Sequence, residues 1–146
     1  MSCSASILHV VENWNLAEEV GGEERLEAML RVFYDRLYDD ILVGFLFQPH
    51  DKGKLVLSQY DYVTAHLGDR SGTYRGPTIR KSHAHVPVLP GHFDRRHKIL
   101  ADLLVEWDVP EHVQQAWLAL DRSLRKFVVN LGATARDQAL TSNEPE

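Results

Sequence analysis

The sequence has one cysteine, no apolar run of membrane-spanning length and more acid than base, and each shortage removes a class of explanation. Cys3 has no second cysteine to pair with, which excludes an intramolecular disulfide and fits a reducing compartment. No stretch approaches the roughly 18 consecutive apolar residues that a membrane helix needs. Met1 to Ser6 lacks a basic start, and Ile7 to Val11 is too short for the core of a secretory signal. The expectation is a cytoplasmic protein with no membrane partner. A formal net charge of −5 argues against a nucleic-acid partner, because electrostatic binders carry a basic stripe. The one basic cluster, Arg95-Arg96 with Lys98, sits inside a periodic helical stretch. Internal repeats and a dividing linker are lacking as well.

What remains is an ordinary soluble composition with strong helical patterning. The 146 residues, 44% hydrophobic and 25% charged, suit a single domain. A chain of this size buries about two-thirds of its unfolded surface without staples. Leu26, Leu30, Phe33 and Leu37 recur at i, i+4, i+7 and i+11, one face of a helix, behind an acidic first turn at Glu23-Glu24. Gly21-Gly22 before it predicts a sharp break at positive φ. Asp39-Asp40 ends that helix. Ile41 to Phe47 reads as a tight corner against a pocket, with an isolated strand as the alternative. Pro49 to Gly53 is turn-like, and Leu55 to Leu67 forms the next helix, stopped by Gly68-Asp69-Arg70-Ser71-Gly72. Phe93, Ile99, Leu100, Leu103 and Leu104 follow one helix after Pro90-Gly91. Asp108-Val109-Pro110-Glu111 restarts the chain into a last helix striped by Val113, Trp117, Leu120, Leu124 and Val128. The expected organisation is an N-terminal extension over residues 1–15, with Trp14 packed on the body, a domain over 16–131, and a disordered tail over 132–146.

Eight histidines in one chain produce chance patterns, yet His83 has a distinctive setting. It ends Tyr74-Arg75-Gly76-Pro77-Thr78-Ile79-Arg80-Lys81-Ser82-His83, a Pro-initiated turn, and Phe93 opens a helix ten residues later. Such an arrangement can hold one imidazole rigidly against a flat ligand. Upstream lie Gly21-Gly22-Glu23-Glu24, Phe33-Tyr34-Asp35-Arg36-Leu37, Asp40, Gly44-Phe45-Leu46-Phe47 and Leu67-Gly68. In this order the segments resemble a truncated haemoglobin, the short bacterial-type globin, from about Leu16 to Val129. The resemblance implies an all-α, two-over-two helical sandwich around haem b (iron protoporphyrin IX).

It also implies roles for particular side chains. His83 becomes the proximal iron ligand, its other ring nitrogen donating to a backbone carbonyl near Ile79 or Arg80. His85 is the rival in a slipped register. Tyr34 takes the position of a distal tyrosine whose hydroxyl points at the bound gas. Leu55, Gln59, Tyr62 and His66 share one helix face. Leu55 falls at the first distal position, so the sixth coordination site is expected to stay open, and Gln59 one turn on is either a second donor or a solvated side chain. His66 lies too far along to reach iron and reads as a structural or surface residue. Phe47 matches the corner phenylalanine that stacks on the porphyrin, with Leu46, Tyr62 and Val128 as further walls. Val88 and Phe93 lie under the ring, and His97 shares a helix face with Phe93. Arg75, Arg80 and Lys81 are the expected propionate partners. One departure stands out. Two of the family's three groups usually carry a tryptophan thirteen residues after the proximal histidine, where this chain has Arg96. A guanidinium cannot sit unpaired in a haem pocket. It must turn outward, reach a propionate, or yield to a shifted register that turns His97 inward.

Three functions compete at this level. The first is reversible binding of oxygen, nitric oxide or carbon monoxide. The second is enzymatic: nitric oxide oxidation to nitrate or weak peroxidase activity, the former requiring an external reductase. The third is a haem-free interaction domain, which gives no reason for Tyr34, Phe47 and His83 to occur together. Diatomic ligand binding is the preferred reading.

Overall fold

A computed structural model describes residues 14–67 and 87–142, with side chains described as far as Val129. Every regular element among them is helical. Helix α1, Leu16–Glu19, is a single turn whose cap Asn15 accepts a hydrogen bond from the Glu18 amide at 3.3 Å. The glycine break then appears as expected, with φ of +106° at Gly21 and +115° at Gly22, a region costly for side-chain-bearing residues. Helix α2, Glu23–Asp39, follows with Leu26, Leu30, Phe33 and Leu37 fully buried.

The corner after α2 is built by Asp40 and Gly44. One Asp40 carboxylate oxygen accepts from the amides of Leu42 and Val43 at 3.0 and 3.2 Å, while the other accepts from Arg95 at 2.7 Å. Arg95 and the two amides therefore hold this carboxyl below its usual range. The backbone folds back so tightly that a Cβ on Gly44 would come within 2.6 Å of the Tyr38 carbonyl oxygen. This corner carries α3, Gly44–Phe47, a helical turn and not a strand.

Helix α4, Lys52–His66, starts three residues before the expected Leu55. Asp51 explains the early start, since its side chain caps the Lys54 amide at 2.9 Å. Helix α5, Pro90–Glu106, has proline in its first turn and is closed by His92, whose Nδ1 accepts from the Leu89 amide at 3.1 Å. Asp108, at φ +54°, turns the chain into α6, Glu111–Ser142, with Val113 and Trp117 buried on the expected stripe. The expected extension lies mostly outside the described residues, apart from Trp14, which is buried against the body, and Asn15, which caps α1.

The closest associations are α2 with α4 and α5 with α6, and α2 also crosses α5. Two helix pairs thus stack face to face around one large apolar cluster. No described helix is long and apolar enough to cross a membrane.

Candidate functional site

The large cluster presents its aromatic wall where α2, the corner and α4 meet. Tyr34 is buried on α2, 5.3 Å from Phe33 and 6.1 Å from Phe47 between ring centroids, both edge-on. Phe47 is partly buried and also leans on Tyr38. Leu55 packs on the same cluster, Tyr62 is buried within it, and Gln59 between them is half-buried. The inward stripe of α4 is Val56, Tyr62 and Val63, so of the four residues that share the predicted face only Tyr62 is buried, Leu55 and Gln59 lie at the margin and His66 is exposed. His66, exposed at the end of α4, stacks on Tyr62 at 4.2 Å, and its Nδ1 lies 2.8 Å from the Tyr62 carbonyl oxygen. Leu46 is partly exposed.

A second, smaller cluster stands apart. Val88, Phe93, Val128 and Val129 are buried together, and among the described residues only Leu124 packs against both clusters. Three of these four are residues predicted to lie under or beside a flat ligand. Haem is a largely apolar disc, and two separate apolar walls, one bearing a buried phenol, fit such a group. His97 stacks nearly parallel on Phe93, with centroids 6.4 Å apart.

The charged residues resolve the question posed by Arg96. Its side chain is turned inward, only 16% exposed, and Nη1 donates to Asp121 Oδ1 at 2.5 Å. Asp121, on α6, is the sole buried charged residue among the described ones. Its second oxygen lies 2.7 Å from His97 Nδ1, and because a carboxylate can only accept, the His97 ring N–H donates. The Arg96 guanidinium also covers the Phe33 ring at 5.3 Å and sits close enough to the Tyr34 hydroxyl to act on its ionisation. Burial penalises the charges of Arg96 and Asp121, but the combined pull of their neighbours outweighs it, Asp121 and Tyr34 acting on Arg96, Arg96 and His97 acting on Asp121. Arg96 binds its proton more tightly than usual, and Asp121 is held below the usual carboxylate range by Arg96 and His97. Burial pushes the Tyr34 phenol up, with Arg96 pulling the other way. Arg96 thus neither faces outward nor lies unpaired. Asp121 is the member of this cluster that sequence reasoning passed over, although it stands four residues after Trp117 on the apolar stripe and so carried a signal.

His83, the rival His85, Arg75, Arg80 and Lys81 lie outside the described residues.

Two helix pairs crossing over a tyrosine–phenylalanine wall, with a second apolar wall on the other pair, define a globin. The chain belongs to the bacterial-like globin family, whose model matches residues 15–130. It is similar to the group 1 truncated hemoglobin of Tetrahymena pyriformis, at 29% identity over 96 residues, which span 66% of this chain and 78% of that protein. The crystal structure of that truncated hemoglobin in its Fe(III) form superposes with a TM-score of 0.69 at 26% identity, covering 80% of this chain and 98% of the other. The 2/2 hemoglobin of Synechococcus sp. PCC 7002, in the cyanomet state with covalently attached heme, gives a TM-score of 0.72 at 22% identity, over 80% and 99% of the two chains. The fold is accordingly the two-over-two fold of truncated haemoglobins, and membership implies haem-based binding of small gaseous ligands.

Proposed function

We propose that this protein binds oxygen or another diatomic gas on haem b, with His83 as the proximal ligand and Tyr34 as the distal hydrogen-bond donor. The observation that carries the reading is the buried Tyr34 hydroxyl, set among Phe33 and Phe47 on the wall that complements the Val88, Phe93 and Val128 cluster. The spacing in the relatives supports it. The tyrosine and two glutamines varied in structures of the Tetrahymena protein follow one another at the spacing of Tyr34, Leu55 and Gln59 here.

When bound, haem supplies an iron with one coordination position for the gas. The chain does the rest. Tyr34 donates its O–H to the partly negative end of the ligand, a charge-assisted bond worth about 1.5–3 kcal/mol. Gln59 adds a second donor one turn beyond Leu55. Leu55 itself has no donor or ligating atom, so it leaves the gas position open. Phe47, Leu46 and Tyr62 pack one face of the cofactor, Val88, Phe93 and Val128 the other, and His97 is held at the edge of the second wall. Arg75, Arg80 and Lys81 pair with the propionates.

Nitric oxide dioxygenation is the second reading. A buried tyrosine donor slows ligand loss, which suits turnover better than delivery. Each turnover then needs one electron from an external reductase.

The deciding experiment is the absorption spectrum of protein expressed with haem, in ferric, dithionite-reduced and carbon monoxide-bound forms. A Soret band with a histidine-type ferrous CO spectrum, lost in His83→Ala and recovered with exogenous imidazole, is the expected result. Loss in His85→Ala instead moves the ligand by two residues. A colourless protein that refuses haemin leaves a helical interaction domain.

A further inference from the structure

Among the described residues a single apolar side chain, Leu124, packs against both clusters. A charged chain makes a second link between them. It starts at Phe33 in the large cluster, whose ring lies 5.3 Å from the Arg96 guanidinium. Arg96 donates to Asp121 Oδ1, and Asp121 Oδ2 accepts from His97 Nδ1 at 2.7 Å. His97 in turn stacks on Phe93 of the small cluster, with centroids 6.4 Å apart and planes 16° from parallel. Helix periodicity lines these parts up. Phe93 and His97 stand one turn apart on α5, and Asp121 and Val128 two turns apart on α6, each pair on one face of its helix.

We propose that His97, clamped by Asp121, is a positioning residue that fixes the Phe93 ring and so sets how tightly the small wall grips a flat ligand. The argument is one of free torsions. Val88, Val128 and Val129 are β-branched and stiff at χ1. Phe93 is the ring among them, and the outer torsion of an aromatic side chain turns in a broad well. A second ring stacked on its face blocks that turn only when it is itself held. His97 is held, because its Nδ1–H donates to a carboxylate that is 2% exposed and is fixed through its other oxygen by Arg96. A hydrocarbon ring at position 97 stacks but has no anchor, and a small amide has the anchor but does not stack. The imidazole does both.

This inference rests on the reading of Phe93 as a haem contact, and the test separates the two claims. Haemin transfer to apomyoglobin is measured for His97→Phe, which keeps a ring without the donor, and for His97→Asn, which keeps a donor without the ring. Both leave the Arg96–Asp121 pair in place. Each should speed transfer about fivefold, the effect of losing one aromatic pair. Neither should add to the acceleration caused by Phe93→Ala when the two substitutions are combined. In parallel, NMR of isotope-labelled phenylalanine in the carbon monoxide form follows flipping of the Phe93 ring, which should be slow in the unsubstituted protein and faster in both variants. Full acceleration of haemin loss by the His97 variants on a Phe93→Ala background overturns the proposal, because His97 then acts on haem or on the fold directly. A Phe93 ring whose flipping ignores His97 overturns it equally. If Phe93→Ala alone leaves haemin loss unchanged, the haem-contact reading falls and takes the grip on the ligand with it. Ring flipping that still answers to His97 then upholds the clamp and locates the error in the site reading.

Discussion

The two apolar clusters of this molecule are built in different ways. The large one draws on α1, α2, α4, α5 and α6 and encloses Phe33 and Trp117 completely, so its side chains supply each other's packing. The small one, among the described residues, gathers Val88, Phe93, Val128 and Val129 from the approach to α5, its first turn and the later part of α6. On the proposed function haem is the missing partner, and the contrast becomes one between a wall that is stable without cofactor and a wall that waits for it. The charges follow the same division. The buried Arg96–Asp121–His97 network ties α5 to α6, whereas Arg36 grips Glu106 with two bonds of 2.7 and 2.9 Å in open solvent.

Substitutions can break this contrast or sharpen it. The largest loss is expected for Phe33→Ala, about 3–5 kcal/mol in denaturant unfolding, with or without haem, because the cavity forms in a closed core. Equal stability of the variant would show that the large cluster is not the self-sufficient half. Next comes Asp121→Leu, which strands a buried guanidinium and should cost about 3 kcal/mol or more. The milder Asp121→Asn exposes the pH linkage. Because the folded carboxyl is held below its ordinary pKa, its contribution is present above the unfolded value of about 3.9 and disappears as pH falls through the depressed folded value. The Asn variant should therefore lose stability at neutral pH and show a flatter acid limb. Phe93→Ala should cost less than about 3 kcal/mol in haem-free protein, since the small cluster can collapse, yet haemin should transfer from it to apomyoglobin markedly faster. A large loss without haem would dissolve the distinction between the walls. The smallest effect belongs to Arg36→Gln: a solvent-exposed pair should leave the unfolding midpoint within error.

Much of the fold was legible in the chain because helix burial repeats at short range. The stripe from Leu26 to Leu37, the Gly21-Gly22 break and the Pro110 restart all appear where periodicity and turn chemistry place them. The start of α4 was misjudged by three residues because the cap Asp51 lay inside a segment that reads as a polar turn. Of the residues named from the chain, Tyr34 and Phe47 meet ring to ring, Leu55 and Tyr62 pack in the same large cluster, and Val88, Phe93 and Val128 gather in the small one. Trp14 is buried on the body as its aromatic bulk suggested. Arg96 was recognised only as an anomaly. The resolving partner, Asp121, is 25 residues away, and an aspartate on an apolar stripe does not announce its partner.

The chain by itself thus determined a helical globin with Tyr34 and Phe47 packed together, since each of those features is written in residues a few positions apart. Only the tertiary structure decided where the charges went. Whether a guanidinium faces solvent or interior depends on what the neighbouring helix brings to it, and α6 brings a carboxylate already held by His97, which makes the buried position of Arg96 tolerable.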